Sequence, residues 1–140
     1  MLQLVFVTVL KKIMKHKIEY LVDTGILLEH LCFADVKLSV LEKAMHTGVC
    51  YTTVSNSSGL FFAAENEFEK MKVKDMLSAL KVLGVHSRYS LTVGEFAGKV
   101  TMVSDALFCV SAKLNRLTIL TLDKNKYIAT GLSVIGPDEI

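Results

Sequence analysis

Three aspartates each sit beside an apolar run in this chain, and their placement constrains the fold more than any other feature. Asp23 follows Ile18-Glu19-Tyr20-Leu21-Val22, and Asp123 follows Leu117-Thr118-Ile119-Leu120-Thr121-Leu122. Asp105 opens Asp105-Ala106-Leu107 directly after Val103-Ser104. An ionised carboxylate in such company is expensive to desolvate unless it is paired or holds a cation. A fold that gathers all three creates mutual repulsion, which a divalent metal relieves.

The pattern between the acids alternates. Glu19-Tyr20-Leu21-Val22 reads as a buried strand, with Asp23-Thr24 as its end and a helix cap. Residues 24–33 form a helix whose stripe is Ile26, Leu27, Leu28, Leu31 and Cys32. Residues 36–45 repeat that pattern until Thr47-Gly48 stops it, and Val49-Cys50-Tyr51-Thr52 makes a second strand. One long helix is expected over 55–70 and another over 73–83, stopped by Gly84. Helices over 91–100 and 105–115 follow, then strands at 117–122 and 132–135. Strands alternating with helices predict an α/β three-layer sandwich, a short central parallel sheet flanked by helices. In such open sheets the site lies beyond the carboxyl ends of the strands. Asp23 and Asp123 meet that rule directly, and Asp105 meets it as the first acid of a helix whose N-terminus faces the same crevice.

A chain of 140 residues with 51% hydrophobic and 21% charged side chains is one ordinary domain, neither disordered nor repetitive. One proline and eight glycines leave no room for a linker. A formal charge of +2 implies no nucleic-acid partner by itself. Local basic clusters (Lys11, Lys12, Lys15 and Lys17; Lys70, Lys72 and Lys74; Lys113 and Arg116; Lys124 and Lys126) are either phosphate contacts or solvated faces. Cys32, Cys50 and Cys109 lack any CxxC pair and sit among apolar neighbours, as buried reduced thiols of a cytoplasmic protein do. The four histidines show no metal-ligand spacing. The apolar opening, residues 2–10, is too short to span a bilayer, and its basic residues follow the run, the reverse of a secretory signal. Residues 1–13 read as an extension of open role and 14–140 as the domain proper.

With these motifs in order, Leu21-Val22-Asp23-Thr24, Asp105-Ala106-Leu107 and Thr121-Leu122-Asp123-Lys124-Asn125-Lys126-Tyr127, the chain resembles a PIN domain. It is most similar to the VapC-type toxin ribonucleases of toxin–antitoxin systems. The resemblance implies Mg²⁺- or Mn²⁺-dependent RNA cleavage by four acids, a small antitoxin partner and a homodimer. Asp23, Asp105 and Asp123 match three of those acids, and Thr121 matches a hydroxyl residue often found two positions before the last. The fourth acid is a glutamate in a helix that begins with a Thr/Ser-rich stretch, here Thr52-Thr53-Val54-Ser55-Asn56-Ser57-Ser58-Gly59-Leu60. Gly59 stands at its position.

A glycine inside a helix costs about 1 kcal/mol relative to alanine, so it reads either as close backbone packing or as a lost acid, and the second is preferred. Glu65 lies roughly 240° around the helix from Gly59, and Glu67 roughly 12 Å further along it, so neither fills the place. The implied chemistry is metal-assisted phosphodiester hydrolysis, with Asp23, Asp105 and Asp123 as metal ligands and activity weakened at Gly59. The alternative is a non-catalytic PIN-like module that binds RNA or protein. A response-regulator phosphoacceptor would need an early acidic pair, which is absent.

Overall fold

The computed structural model describes residues 3–7, 9 and 18–140. Residues 3–7 and 9 are helical and exposed; the boundary expected at residue 13 lies outside the described residues.

Among the described residues the sheet has five strands: β1 (Ile18–Val22), β2 (Gly48–Thr53), β3 (Lys81–Leu83), β4 (Thr118–Leu120) and β5 (Val134–Ile135). Their order is β3-β2-β1-β4-β5, and every pairing is parallel. Among the described residues from 18 onward, the α-helices that flank it are α1 (Thr24–Phe33), α2 (Val40–Thr47), α3 (Val54–Ala63), α4 (Glu67–Ser78), α5 (Tyr89–Thr92) and α6 (Val103–Leu114). This is the expected α/β architecture.

Strand β1 shows how the layers form. Side chains alternate across a strand, so Tyr20 and Val22 enter one core while Leu21 enters the other. The first core joins Tyr20 and Val22 to Ile26 and Leu27 of α1, Leu41 and Ala44 of α2, Leu60 of α3 and Met76 of α4. The second joins Leu21 to Phe96, Phe108, Cys109, Ile119 and Tyr127. A sheet buried on both faces needs a continuous apolar run, which β1 supplies over Tyr20–Val22.

Four expectations are corrected. The helix expected over 55–70 is two helices, because Ala64 turns extended (φ −66°, ψ 128°) and Asn66 caps α4, accepting from the Glu69 N–H at 2.9 Å. The helix expected over 73–83 ends at Ser78, and Lys81-Val82-Leu83 pairs with Tyr51, Thr52 and Thr53 as an edge strand. Three residues are too few for a periodicity to announce a strand. Within 91–100, helix α5 passes into a 3-10 turn over Val93–Phe96, and Gly98 takes φ +76°. Burial of Phe96 holds that turn against the second core. Cys32 is exposed, so only Cys50 and Cys109 are the buried thiols expected. Among the described residues no helix is long and apolar enough to cross a membrane.

Gly48 ends α2 in extended backbone (φ −170°, ψ −167°), not in a left-handed cap. Its importance is close approach: a Cβ there would lie 2.1 Å from the Ile18 carbonyl oxygen across the β1–β2 pairing. Replacing Gly48 with alanine forces the two strands apart, and urea unfolding should show a loss of about 2–3 kcal/mol. A loss below about 0.5 kcal/mol would mean that the strands separate freely.

Candidate functional site

Strands β1 and β4 are adjacent in the sheet, yet the chain builds β2 and β3 on one side of β1 before returning to build β4 and β5 on the other. That reversal opens a crevice beyond their carboxyl ends. Asp23 immediately follows β1 and Thr121 immediately follows β4.

Asp23 is buried, at 8% exposure, and fully employed. Its Oδ1 caps α1 by accepting the Ile26 N–H at 3.3 Å. Its Oδ2 accepts the Thr121 hydroxyl at 2.6 Å and, more weakly, the Tyr127 hydroxyl at 3.5 Å. Thr121 is itself buried, and its Oγ1 accepts the Asp123 N–H at 3.1 Å. Burial first, and then the neighbouring Asp23 carboxylate, hold the Tyr127 hydroxyl above its ordinary pKa range, so it stays a protonated donor.

Above Asp23 lies a polar cleft of about 250 Å³ on which three helix N-termini converge. Thr24 and Gly25 begin α1, Ser55 and Asn56 begin α3, and Ser104 and Asp105 begin α6. Phe108, Lys126 and Tyr127 complete its wall. The Asn56 amide donates to the Thr24 hydroxyl at 2.8 Å and its carbonyl accepts from Thr53, which ties α3 to α1. Asp105 is half-buried, and the Lys126 ammonium lies 3.0 Å from its Oδ1.

The cleft therefore brings together Asp23 and Asp105 of the expected acids. Thr121 supports Asp23 from beneath. Asp123 is exposed and does not line the cleft. Gly59 lies one turn beyond Ser55 on the same face of α3, and a Cβ there would meet nothing within 4 Å. Close backbone packing thus does not explain this glycine. Glu65 falls beyond the end of α3 and Glu67 within α4, and both are exposed. Neither lines the cleft.

As arranged, these residues are engaged with other groups and are not gathered as a cluster of metal ligands. Asp23 spends its oxygens on hydrogen bonds, Asp105 is neutralised by an ammonium, and among the described residues no three His, Cys, Asp or Glu side chains gather as ligands. Sequence reasoning placed Lys126 in a basic pair with Lys124 and, with Tyr127, in the motif around Asp123, but gave neither a site role and did not expect Ser55, Asn56 or Ser104 at the cleft. The one signal available was Tyr127, an aromatic among charges that calls for burial. The other basic clusters that the structure describes are largely paired on the surface: Lys70 with Glu67 at 3.3 Å, Lys72 with Asp35 at 3.7 Å, Lys113 with Glu95, and Lys124 with Glu139 at 3.0 Å.

No family model and no curated protein matches the sequence. Solved structures do match. VapBC from Salmonella typhimurium bound to DNA aligns with TM-score 0.71 at 16% identity, over 86% of this chain and 98% of that one. VapBC-1 from nontypeable Haemophilus influenzae gives 0.70 at 14%, over 86% and 99%. VapBC2 from Rickettsia felis bound to a promoter DNA fragment gives 0.67 at 15%, over 85% and 98%. The chain has the PIN-like α/β fold found in these VapBC structures.

Two outcomes follow from this geometry. Thr121→Val leaves the buried Asp23 carboxylate short of its strongest donor, so stability should fall by roughly 1.5–3 kcal/mol in urea titrations, with Thr121→Ser retaining most of it. Burial lifts the Cys50 thiol to about 11, and burial together with nearby Asp105 lifts Cys109 to about 11 against the opposing effect of Lys126. Both thiols are protonated in native protein at pH 8, so a thiolate-specific reagent should label Cys32 alone until denaturant is added. Rapid labelling of all three in the native state would contradict the packing around β2 and α6.

Proposed function

We propose that this chain is a toxin-type PIN domain of a toxin–antitoxin pair, with the outline of a metal-dependent endoribonuclease site that is weakened in this sequence. The observation that carries the reading is the convergence of Asp23 and Asp105 on one polar cleft at the β1–β4 reversal. RNA is the substrate class, a small antitoxin protein the partner, and a homodimer the assembly. A toxin–antitoxin complex from Klebsiella pneumoniae shares the fold, with TM-score 0.69 at 16% identity, which supports the antitoxin assignment.

The chain's own groups suit a phosphodiester. The hydroxyls of Ser55 and Ser104 and the Lys126 ammonium line the cleft, and each is a group that can donate to a phosphate oxygen. The positive ends of α3 and α6 add to that attraction. Asp23, locked by Thr121 and the Ile26 N–H, is a fixed negative charge at the floor of the cleft. What the cleft lacks is a further acid, and the open space at residue 59 is where α3 would present one.

The test is cleavage of a mixed-sequence RNA by wild-type protein and by Gly59→Glu, in Mg²⁺ or Mn²⁺ and in chelator. Wild type should cut weakly, and the glutamate should raise the rate at least ~10²-fold, the usual scale of one positioned acid or base. Folded protein that stays inert in both forms would instead make the chain a non-catalytic RNA- or protein-binding module.

A further inference from the structure

Lys126 is placed by its neighbour. Residues Lys124–Thr130 form a 3-10 helix that ends at Gly131, where φ is +74°. Within it Tyr127 is 1% exposed and packs its ring 5.7 Å from that of Phe108, while the Thr130 hydroxyl donates to the Tyr127 carbonyl at 2.6 Å. With Tyr127 anchored inward, residue 126 is carried to the mouth of the cleft, and its Nζ meets Asp105 Oδ1 at 3.0 Å. The same ammonium lies 5.7 Å from the Tyr127 ring centroid, a second electrostatic contact. Lys124, two positions earlier, is drawn away to Glu139 at 3.0 Å.

We propose that the Lys126 ammonium is the resident cation of the cleft, standing beside Asp105 where a divalent ion would sit, and that it holds divalent metal binding low. Among the described residues that line the cleft, Asp23 and Asp105 carry negative charge and Lys126 carries the positive charge. A dication entering the cleft must displace the ammonium and then face it at close range, a like-charge repulsion in a partly water-excluded space. The lysine side chain is 43% exposed, so the contact is a competition with metal and not a permanent block. The inference rests on the reading of this cleft as a cation site, but it requires no RNA cleavage.

The experiment is calorimetric titration of the full chain with Mn²⁺, in the absence of RNA, for wild type, Lys126→Met and Lys124→Met. Lys126→Met should bind Mn²⁺ at least tenfold more tightly than wild type, Lys124→Met should match wild type, and Asp105→Asn in the Lys126→Met background should abolish the gain. Circular dichroism confirms folding, and Lys126→Gln replaces the methionine variant if that one associates. Equal affinity in wild type and Lys126→Met overturns the proposal, and so does absence of Mn²⁺ binding in both. The first of those outcomes leaves the ribonuclease reading intact. Inert RNA assays alongside a gain of Mn²⁺ affinity sink the ribonuclease reading and leave the resident cation standing.

Discussion

The Thr121 hydroxyl on the Asp23 carboxylate is the contact on which the site depends. It joins residues 98 positions apart at the point where the sheet reverses its building direction. A buried carboxylate is tolerable only when its lone pairs are used, and here Ile26, Thr121 and Tyr127 use them. In doing so they fix the start of α1, the end of β4 and the 3-10 turn of residues 124–130 relative to one another. The cleft is what remains between these elements and the starts of α3 and α6.

That geometry gives the cleft a mixed character. Helix N-termini, two serine hydroxyls and a lysine favour anions, while Asp23 and Asp105 favour cations. In the arrangement that the resemblance implied, further acids would tip this balance toward a metal. Here one such position is glycine, Asp123 is turned to solvent, and an ammonium answers Asp105. The electrostatics of the cleft are therefore closer to neutral than three aspartates in the sequence suggest.

Much of the fold was legible because its signals are local. Strand β1, the capped start of α1, the second strand and the last two strands follow from short apolar runs punctuated by Asp, Thr and Gly. The break between α3 and α4 and the edge strand β3 were not legible. A helix-compatible stretch carries no internal mark of where tertiary contacts interrupt it, and three residues hold too little pattern to name a strand. Gly48 was visible as a helix stop, but its conflict with the Ile18 carbonyl exists only once β1 and β2 pair.

By itself the sequence determined that acids would stand at the carboxyl ends of buried strands, because apolar runs ending in Asp permit little else in a parallel sheet. It also determined that position 59 would bring no carboxylate to α3. Only the tertiary structure decided which groups meet. Asp105 faces the cleft from the start of α6 and Asp123 does not line it, while Lys126 enters and Lys124 leaves because the burial of Tyr127 and the pull of Glu139 set the rotation of one short turn. One residue of phase in that turn separates a lysine in solvent from a lysine on Asp105, and no linear pattern encodes that phase.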